Sequence, residues 1–268
     1  MKSKLIRFAV YFCAGLTLAA LLFMIGYILV KGVPHLRGDL FNWRYTSDNC
    51  SVVPALVNTL IMTLLALFIA CPLGIGSAIY LVEYAKKGNR FVKIVGMTTE
   101  TLTGIPSIIY GLFGMLLFVG FFHWGYSLMA GAATVAIMIL PTIMRTTEEA
   151  LLAVPDSFRE GSFGLGAGKL RTVFKIILPS AVPGILSGII LATGRVVGET
   201  AALIYTSGTV AQVPANLMGS GRTLAIHMYV LSSEGLHTNQ AFATAVVLLG
   251  MVVVINALAA LLARGIEK

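Results

Sequence analysis

The sequence predicts an all-α protein whose solvent is lipid, with six helices crossing a bilayer. Two observations carry that prediction. Hydrophobic residues make up 57% of the 268-residue chain and charged residues 11%, whereas a soluble domain carries roughly 25% charged and 45–50% apolar residues. The apolar residues also fall into six runs, each close to or above the ~20 residues a helix needs to cross the hydrocarbon core. The 28 glycines fit the same solvent, because glycine is more frequent in membrane helices than in soluble ones.

In chain order the runs are Phe8–Val30, Val53–Val82, Ile94–Phe122, Ser127–Met144, Ser180–Ile204 and Ala241–Ala263. The first is long for the 7–15-residue core of a cleaved signal and lacks a small-x-small exit, so it reads as a span. Residues 1–52 then comprise a tail, the first span and an external loop. Residues 53–268 form a five-helix core. Basic residues set the orientation. Fourteen of the 19 Lys and Arg fall in the two tails, the second-to-third connection and the fourth-to-fifth connection. Lys31, Arg37, Arg44 and Arg222 fall on the other side, and Arg195 lies inside a run. The positive-inside rule therefore predicts both termini in the cytoplasm. The same asymmetry accounts for the net charge of +8. These residues flank spans and are not interleaved with aromatics, so no nucleic-acid partner is expected.

Smaller features have plain readings. Cys13 and Cys71 lie within spans and read as small buried hydrophobes, while Cys50 sits in an external loop without an external partner, so no disulfide framework follows. His35, His123, His227 and His237 lack metal-ligand spacing, and no cofactor is expected. Gly184/Gly188 and Gly194/Gly198 are small-xxx-small pairs that allow close helix approach. Trp43 and Trp124 fall near the outer interface, where Trp is enriched. The connection from Thr206 to Gln240, with Asn216, Ser220 and Arg222, reads as outer surface that could touch an external protein.

The fourth-to-fifth connection is longer than the other cytoplasmic one. Pro155 ends the helix before it, because the residue preceding a proline is pushed out of the α region. Ser157 and Glu160 have capping-box spacing, which places a short helix start near Ser157. Gly164, Gly166 and Gly168 end that helix, since glycine adopts the left-handed cap conformation cheaply. A second helix starts near Lys169 and carries Val173, Phe174, Ile176 and Ile177 towards the membrane. The predicted product is a helix–turn–helix bracket near 156–168, projecting from the bilayer. "GAGK" at 166–169 is not a phosphate loop, because Phe163 and Leu170 stand where that pattern needs Gly and Ser or Thr.

The bracket resembles the EAA motif of bacterial ATP-binding-cassette importers, EAA-x3-G-x9-I-x-LP. Here Glu160-Gly161-Ser162 is followed by three residues, Gly166, nine residues, Ile176, one residue and Leu178-Pro179. Gly161-Ser162 replaces two alanines but keeps the side chains small. The resemblance implies a type I ABC importer permease fold, in which the short helix docks into a groove on a separate ATPase subunit. Phe158, Phe163 and Leu165 offer apolar anchors for such docking. An interfacial helix with no partner is the plainer alternative.

Two spans carry groups that lipid rejects. Arg195 and Glu199 lie in the fifth, four residues apart, which on one continuous helix puts them on one face. They stand roughly 25–30 Å beyond Pro179 along that helix, where an unpaired charge costs at least ~2.5–3.5 kcal/mol. Either they form a structural pair, or Arg195 faces a translocation path and Glu199 orients it. A guanidinium presents a planar fork of donors that suits a tetrahedral oxyanion. The third span holds Thr98, Thr99, Glu100, Thr101, Thr103 and Ser107, with Gly104 and Pro106 permitting a helix break. Glu100 either belongs to the path or reaches back to the cytoplasmic surface.

"TLTGIPSIIYG" (101–111) and "GRVVGETAALIYT" (194–206) look like signature segments of the permease pair of phosphate-specific importers. "NTLIMTLLALFIACPLGIGSAIYLVEYAKK" (58–87) resembles the A-type (PstA-like) permease more than the C-type. The likeness covers Asn58 to Lys268. It implies a substrate path at Arg195, Glu199, Glu100, Thr103 and Ser107, and ATPase coupling at Phe158, Glu160, Gly161, Ser162 and Gly166. It also implies a bacterial inner-membrane location and four partners: a homologous PstC-like permease, a dimer of PstB-like ATPase subunits, an external PstS-like phosphate-binding protein, and phosphate. The subunit itself performs no bond chemistry. The same machine for molybdate, sulfate or another small solute is the near alternative. A stand-alone channel or an intramembrane enzyme is the distant one: a channel has no need of the bracket, and an enzyme needs convergent catalytic groups.

Overall fold

The computed structural model describes residues 2–86 and 88–266. Lys87 and Lys268, which entered the charge asymmetry, lie outside the described residues. Helix α1 (Lys2–Gly32) leads through two short 3-10 turns, Val33–His35 and Gly38–Phe41, to α2 (Val53–Ile79). A wide π turn at Tyr80–Tyr84 extends α2. Then come α3 (Arg90–Thr103), α4 (Ser107–Gly114) with a π turn at Met115–Phe121, and α5 (Leu128–Leu152). The bracket is α6 (Asp156–Gly164) and α7 (Lys169–Thr172), which runs through a third π turn, Val173–Ile177, into α8 (Leu178–Val197). Short α9 (Ala201–Ile204), α10 (Leu224–Ser233) and α11 (Thr238–Ile266) complete the chain.

Five helices are long and apolar enough to cross a membrane. The pair α3–α4, bent by 103° at its break, makes a sixth when counted as one broken span. Successive crossings alternate in direction. The bracket, the Ile79 end of α2, the Lys2 end of α1 and the Ile266 end of α11 therefore share one face, the bracket side.

Local chemistry sets the helix starts. Pro54 sits in the first turn of α2, where its missing N–H leaves nothing unpaired. Ser127 accepts the Ala130 N–H at 3.2 Å to cap α5. The Asn89 side chain accepts the Phe91 N–H at 3.0 Å to open α3.

Helix α5 is the axis of the bundle. Its Val135, Met138, Ile139 and Ile143 are buried between Met62, Ala66 and Ala70 of α2 and Ala192 and Val196 of α8. Helices in lipid gain little from the hydrophobic effect, so close van der Waals approach through small residues decides packing. A Cβ added at Gly184 would stand 2.6 Å from the Ala150 Cβ, and one at Gly188 would overlap Thr146. The first small-residue pair is thus the α8–α5 contact. The second makes no contact among the described residues outside its own helix: a Cβ at Gly194 meets nothing within 4 Å. A second apolar cluster, Ile79, Leu151, Val154, Val173 and Ile177, closes the bracket side. A third, Leu40, Val52, Ala55, Leu224 and Ala243, closes the far side. Helix α1 lies at the periphery, its membrane stretch unburied by the rest of the chain. It meets α11 where Gly32 presses on Phe242 and Val246 and the Tyr27 ring stands edge-on to Phe242 at 5.7 Å.

Four expectations are corrected. The fifth run is not continuous to Ile204, because Gly198–Thr200 separates α8 from α9. The Thr206–Gln240 connection is not all surface: α10 lies within it, and Arg222, Thr223, Leu224, Ile226 and His227 are buried. The Ser157–Glu160 capping box does not form. Helix α6 starts at Asp156 behind Pro155 with no side-chain cap, since Pro155 already fixes the entry angle. Among the cysteines, the loop residue Cys50 is the buried one, whereas Cys13 on peripheral α1 is exposed and Cys71 is intermediate.

Candidate functional site

The break between α3 and α4 is built as the Gly104–Pro106 spacing predicts. It frees carbonyls that the membrane requires to be satisfied. The Tyr110 hydroxyl reaches back across the bend and donates to the Leu102 carbonyl at 2.8 Å. The hydroxyls of Thr98, Thr99, Thr101 and Thr103 each donate to the carbonyl four residues earlier, at 2.8–2.9 Å. This polar run therefore satisfies itself and bends its helix gently. Thr103 is exposed at the last turn of α3, and Ser107 is half-buried at the first position of α4.

Beyond the bend, α4 is pressed against α9. A Cβ at Gly111 would lie 2.7 Å from the Ala202 Cα, and one at Gly114 would overlap the Thr134 side chain. Helix α9 starts after the second break, and Glu199 starts it. The buried Glu199 carboxylate accepts the Ala202 N–H at 3.0 Å. Glu199 therefore faces the backbone of the next half-helix and does not share a helix face with Arg195. Neither the proposed pair nor an orienting role for Glu199 toward Arg195 is formed.

Arg195 occupies the last turn of α8, half-buried. Among the described residues, its guanidinium has no ion-pair partner. It lies within electrostatic range of the Tyr110 hydroxyl. Glu100 sits on an exposed face of α3, within range of Arg145, which is itself bonded to Glu149 at 2.9 Å. Sequence reasoning missed Tyr110. A lone Tyr in an apolar run carries no signal until the bend places Leu102 opposite it.

In the bracket, α6 turns its apolar side chains outward. Phe158 is 49%, Phe163 48% and Leu165 90% exposed. Gly166 has φ +81°, where any side chain is strained. It closes the helix with its own N–H on the Phe163 carbonyl at 2.9 Å and the Ala167 N–H on the Ser162 carbonyl at 3.1 Å. Ser162 is buried, its hydroxyl 2.8 Å from that of Thr172, which locks α6 to α7. Gly161 faces open space and Glu160 is exposed. Sequence reasoning also missed Arg159, whose side chain points inward to Glu83 of α2 at 2.7 Å. "LVEY" at 81–84 was the available signal, a carboxylate at the end of an apolar run.

A multi-pass helical bundle with broken helices at its centre and an exposed apolar bracket on one face has the architecture of a transport permease. The chain belongs to the family of binding-protein-dependent transport system inner membrane components, whose model matches residues 70–268. It is 32% identical over 244 residues to the "Probable ABC transporter permease protein YqgI" of Bacillus subtilis, covering 84% of this chain and 81% of that one. It is 40% identical over 157 residues to the phosphate transport system permease protein PstA 1 of Mycobacterium tuberculosis, covering 59% of this chain and 51% of that protein. Its fold matches the inward-facing methionine ABC transporter MetNI with TM-score 0.66 at 20% identity, over 81% of this chain and 96% of that one. A bacterial alginate ABC transporter matches with TM-score 0.64 at 18% identity, over 94% and 95%. The chain is therefore the membrane subunit of an ABC importer. ATP hydrolysis belongs to a separate subunit, and a substrate-binding protein serves the complex.

Proposed function

We propose that this chain is the A-type permease of a phosphate importer. It works with a PstC-like permease, a dimer of PstB-like ATPase subunits and an external PstS-like phosphate-binding protein. Both termini and the bracket lie in the cytoplasm, where an ATPase reaches α6 through Phe158, Phe163 and Leu165. Glu160, Gly161, Ser162 and Gly166 shape that docking element. ATP binding and hydrolysis in the partner rock the helices, and phosphate passes Arg195 on its way inward.

The observation that carries the substrate class is Arg195, a half-buried guanidinium at a break deep in the bundle with no carboxylate partner among the described residues. Such a charge is retained where it meets water, a partner or an anion. Likeness to relatives named as phosphate permeases selects phosphate among the oxyanions. The absence of an Arg195–Glu199 pair favours the path reading over the structural one. Arg195→Ala and Arg195→Lys are both expected to lower phosphate uptake by at least about tenfold in assembled complex, because Lys lacks the planar fork. Radiolabelled phosphate uptake in a strain lacking its own importer measures this. Parent-level uptake by the Ala variant refutes the role. Uptake competed by molybdate or sulfate but not by excess phosphate assigns another oxyanion.

A further inference from the structure

We propose that Arg159 and Glu83 form the staple through which α6 drives the bracket-side ends of α2 and α5. This rests on the reading of α6 as the docking element and says where its movement goes.

Arg159 lies in α6, but its guanidinium is turned away from the docking side chains. Its Nε and Nη2 donate to the Glu83 carboxylate at 3.2 and 2.7 Å. Nη2 also donates to the Leu151 carbonyl at 2.9 Å, and Nη1 to the Val154 carbonyl at 2.8 Å. Nη1 further reaches Asp156 at 3.1 Å. Leu151 lies in the last turn of α5 and Val154 just beyond it, where the carbonyls at a helix C-terminus favour a cation. One side chain therefore satisfies the end of α5, pairs with α2 and belongs to α6.

The pair is enclosed: the side chains of Arg159 and Glu83 are 16% and 8% exposed. Breaking such a pair leaves a buried charge without a partner, so the three elements resist separating. Beneath it lie Ile79 of α2, Leu151 and Val154 of the α5 end, and Val173 and Ile177 of the α7–α8 turn. The π turn at Tyr80–Tyr84 sets the bearing of Glu83. One residue inserted in a helix rotates the side chains beyond it by roughly 100°, and the Ala85 N–H closes this turn on the Tyr80 carbonyl at 2.9 Å. A second tie runs parallel: the Lys169 ammonium stands 5.1 Å from the Tyr84 ring centroid. A push on α6 cannot be absorbed by the Pro155 linker alone. It is delivered to α5, the axis of the bundle, and to α2 packed along it.

The test uses the assembled importer in proteoliposomes. Glu83→Gln keeps the side-chain shape and removes the charge. ATPase subunits are expected to co-purify at the parent level, while phosphate carried per ATP hydrolysed falls about tenfold. An unchanged ratio overturns the proposal. Loss of co-purified ATPase overturns it too, because the pair would then be shaping the docking face. A second arm places Glu83→Cys and Arg159→Cys in a Cys13→Ser, Cys71→Ser background. That protein is expected to be uncoupled with free thiols and to recover coupling when a short reducible linker joins them. No recovery on linking overturns the staple. The docking reading is tested apart: Phe158→Asp with parent-level ATPase co-purification sinks that reading, whatever Glu83→Gln shows.

Discussion

At the scale of single residues, His227 shows how burial fixes a protonation state. Its Nε2 stands 3.2 Å from the Cys50 carbonyl. A carbonyl only accepts, so Nε2 carries the hydrogen and Nδ1 is the bare nitrogen, which has no partner among the described residues. Burial above all, and then the Arg222 charge, push its pKa down to about 3, against a smaller opposing contribution from the Cys50 carbonyl. Arg222 itself stacks 4.5 Å over the Tyr45 ring, which meets His227 edge-on at 5.8 Å. The folded pKa lies below the unfolded value of 6.5. The unfolded chain therefore takes up a proton that the folded chain refuses, and stability falls as pH drops from about 6.5 towards 3. Purified protein should melt progressively lower between pH 7.5 and 5, and His227→Gln should flatten part of that slope. An equal slope in both proteins assigns the loss to other groups. His227 was legible in the sequence only as a histidine without metal spacing. Its burial depends on α10 folding back into the bundle, a long-range contact with Cys50 that no local pattern reports.

Among elements, the breaks in the third and fifth spans differ in how much they announce themselves. Gly104 and Pro106 mark the first, because proline removes a donor and clashes with the preceding turn. The second follows Gly198 alone, and a single glycine is tolerated within a helix. Helix α9 is started by the Glu199 carboxylate on the Ala202 N–H, and a Glu four residues after an Arg reads equally well as an ion pair. The π turns were not legible either, since an inserted residue changes register and leaves composition alone. The glycines of α8 give an element-scale prediction. Gly188→Val drives a branched side chain into Thr146 of α5 and should lower stability by about 1–3 kcal/mol, the usual cost of overpacking. Gly194→Ala meets nothing within 4 Å among the described residues, so the isolated subunit should melt within about 2 °C of the parent, a shift that corresponds to roughly 0.5–1 kcal/mol at most. Thermal melts of the two purified variants compare them directly. If Gly194→Ala is unaffected alone but loses its partner permease on co-purification, that face of α8 is the subunit interface.

For the whole molecule, the charge asymmetry and the alternation of crossings make one joint claim about sidedness. The bracket must share a side with the ATPase, and the 206–240 connection must face the other way. The structure sharpens where to probe. Asn216 and Leu236 are exposed in that connection, whereas Ile226 is fully buried in α10. Ser157 is exposed on the bracket. In a chain with Cys13 and Cys71 replaced by Ser, single substitutions Asn216→Cys and Leu236→Cys should react with an impermeant maleimide on intact cells. Ser157→Cys should react only after permeabilisation, and Ile226→Cys in neither condition. Labelling Ser157→Cys from outside would invert the molecule and put α6 beyond the reach of a cytoplasmic ATPase. That single result would remove docking at α6 and, with it, the route by which Arg159 and Glu83 could move the bundle. Labelling Ile226→Cys on intact cells would instead keep the orientation and return α10 to the surface, where the division of the sequence into six runs puts it.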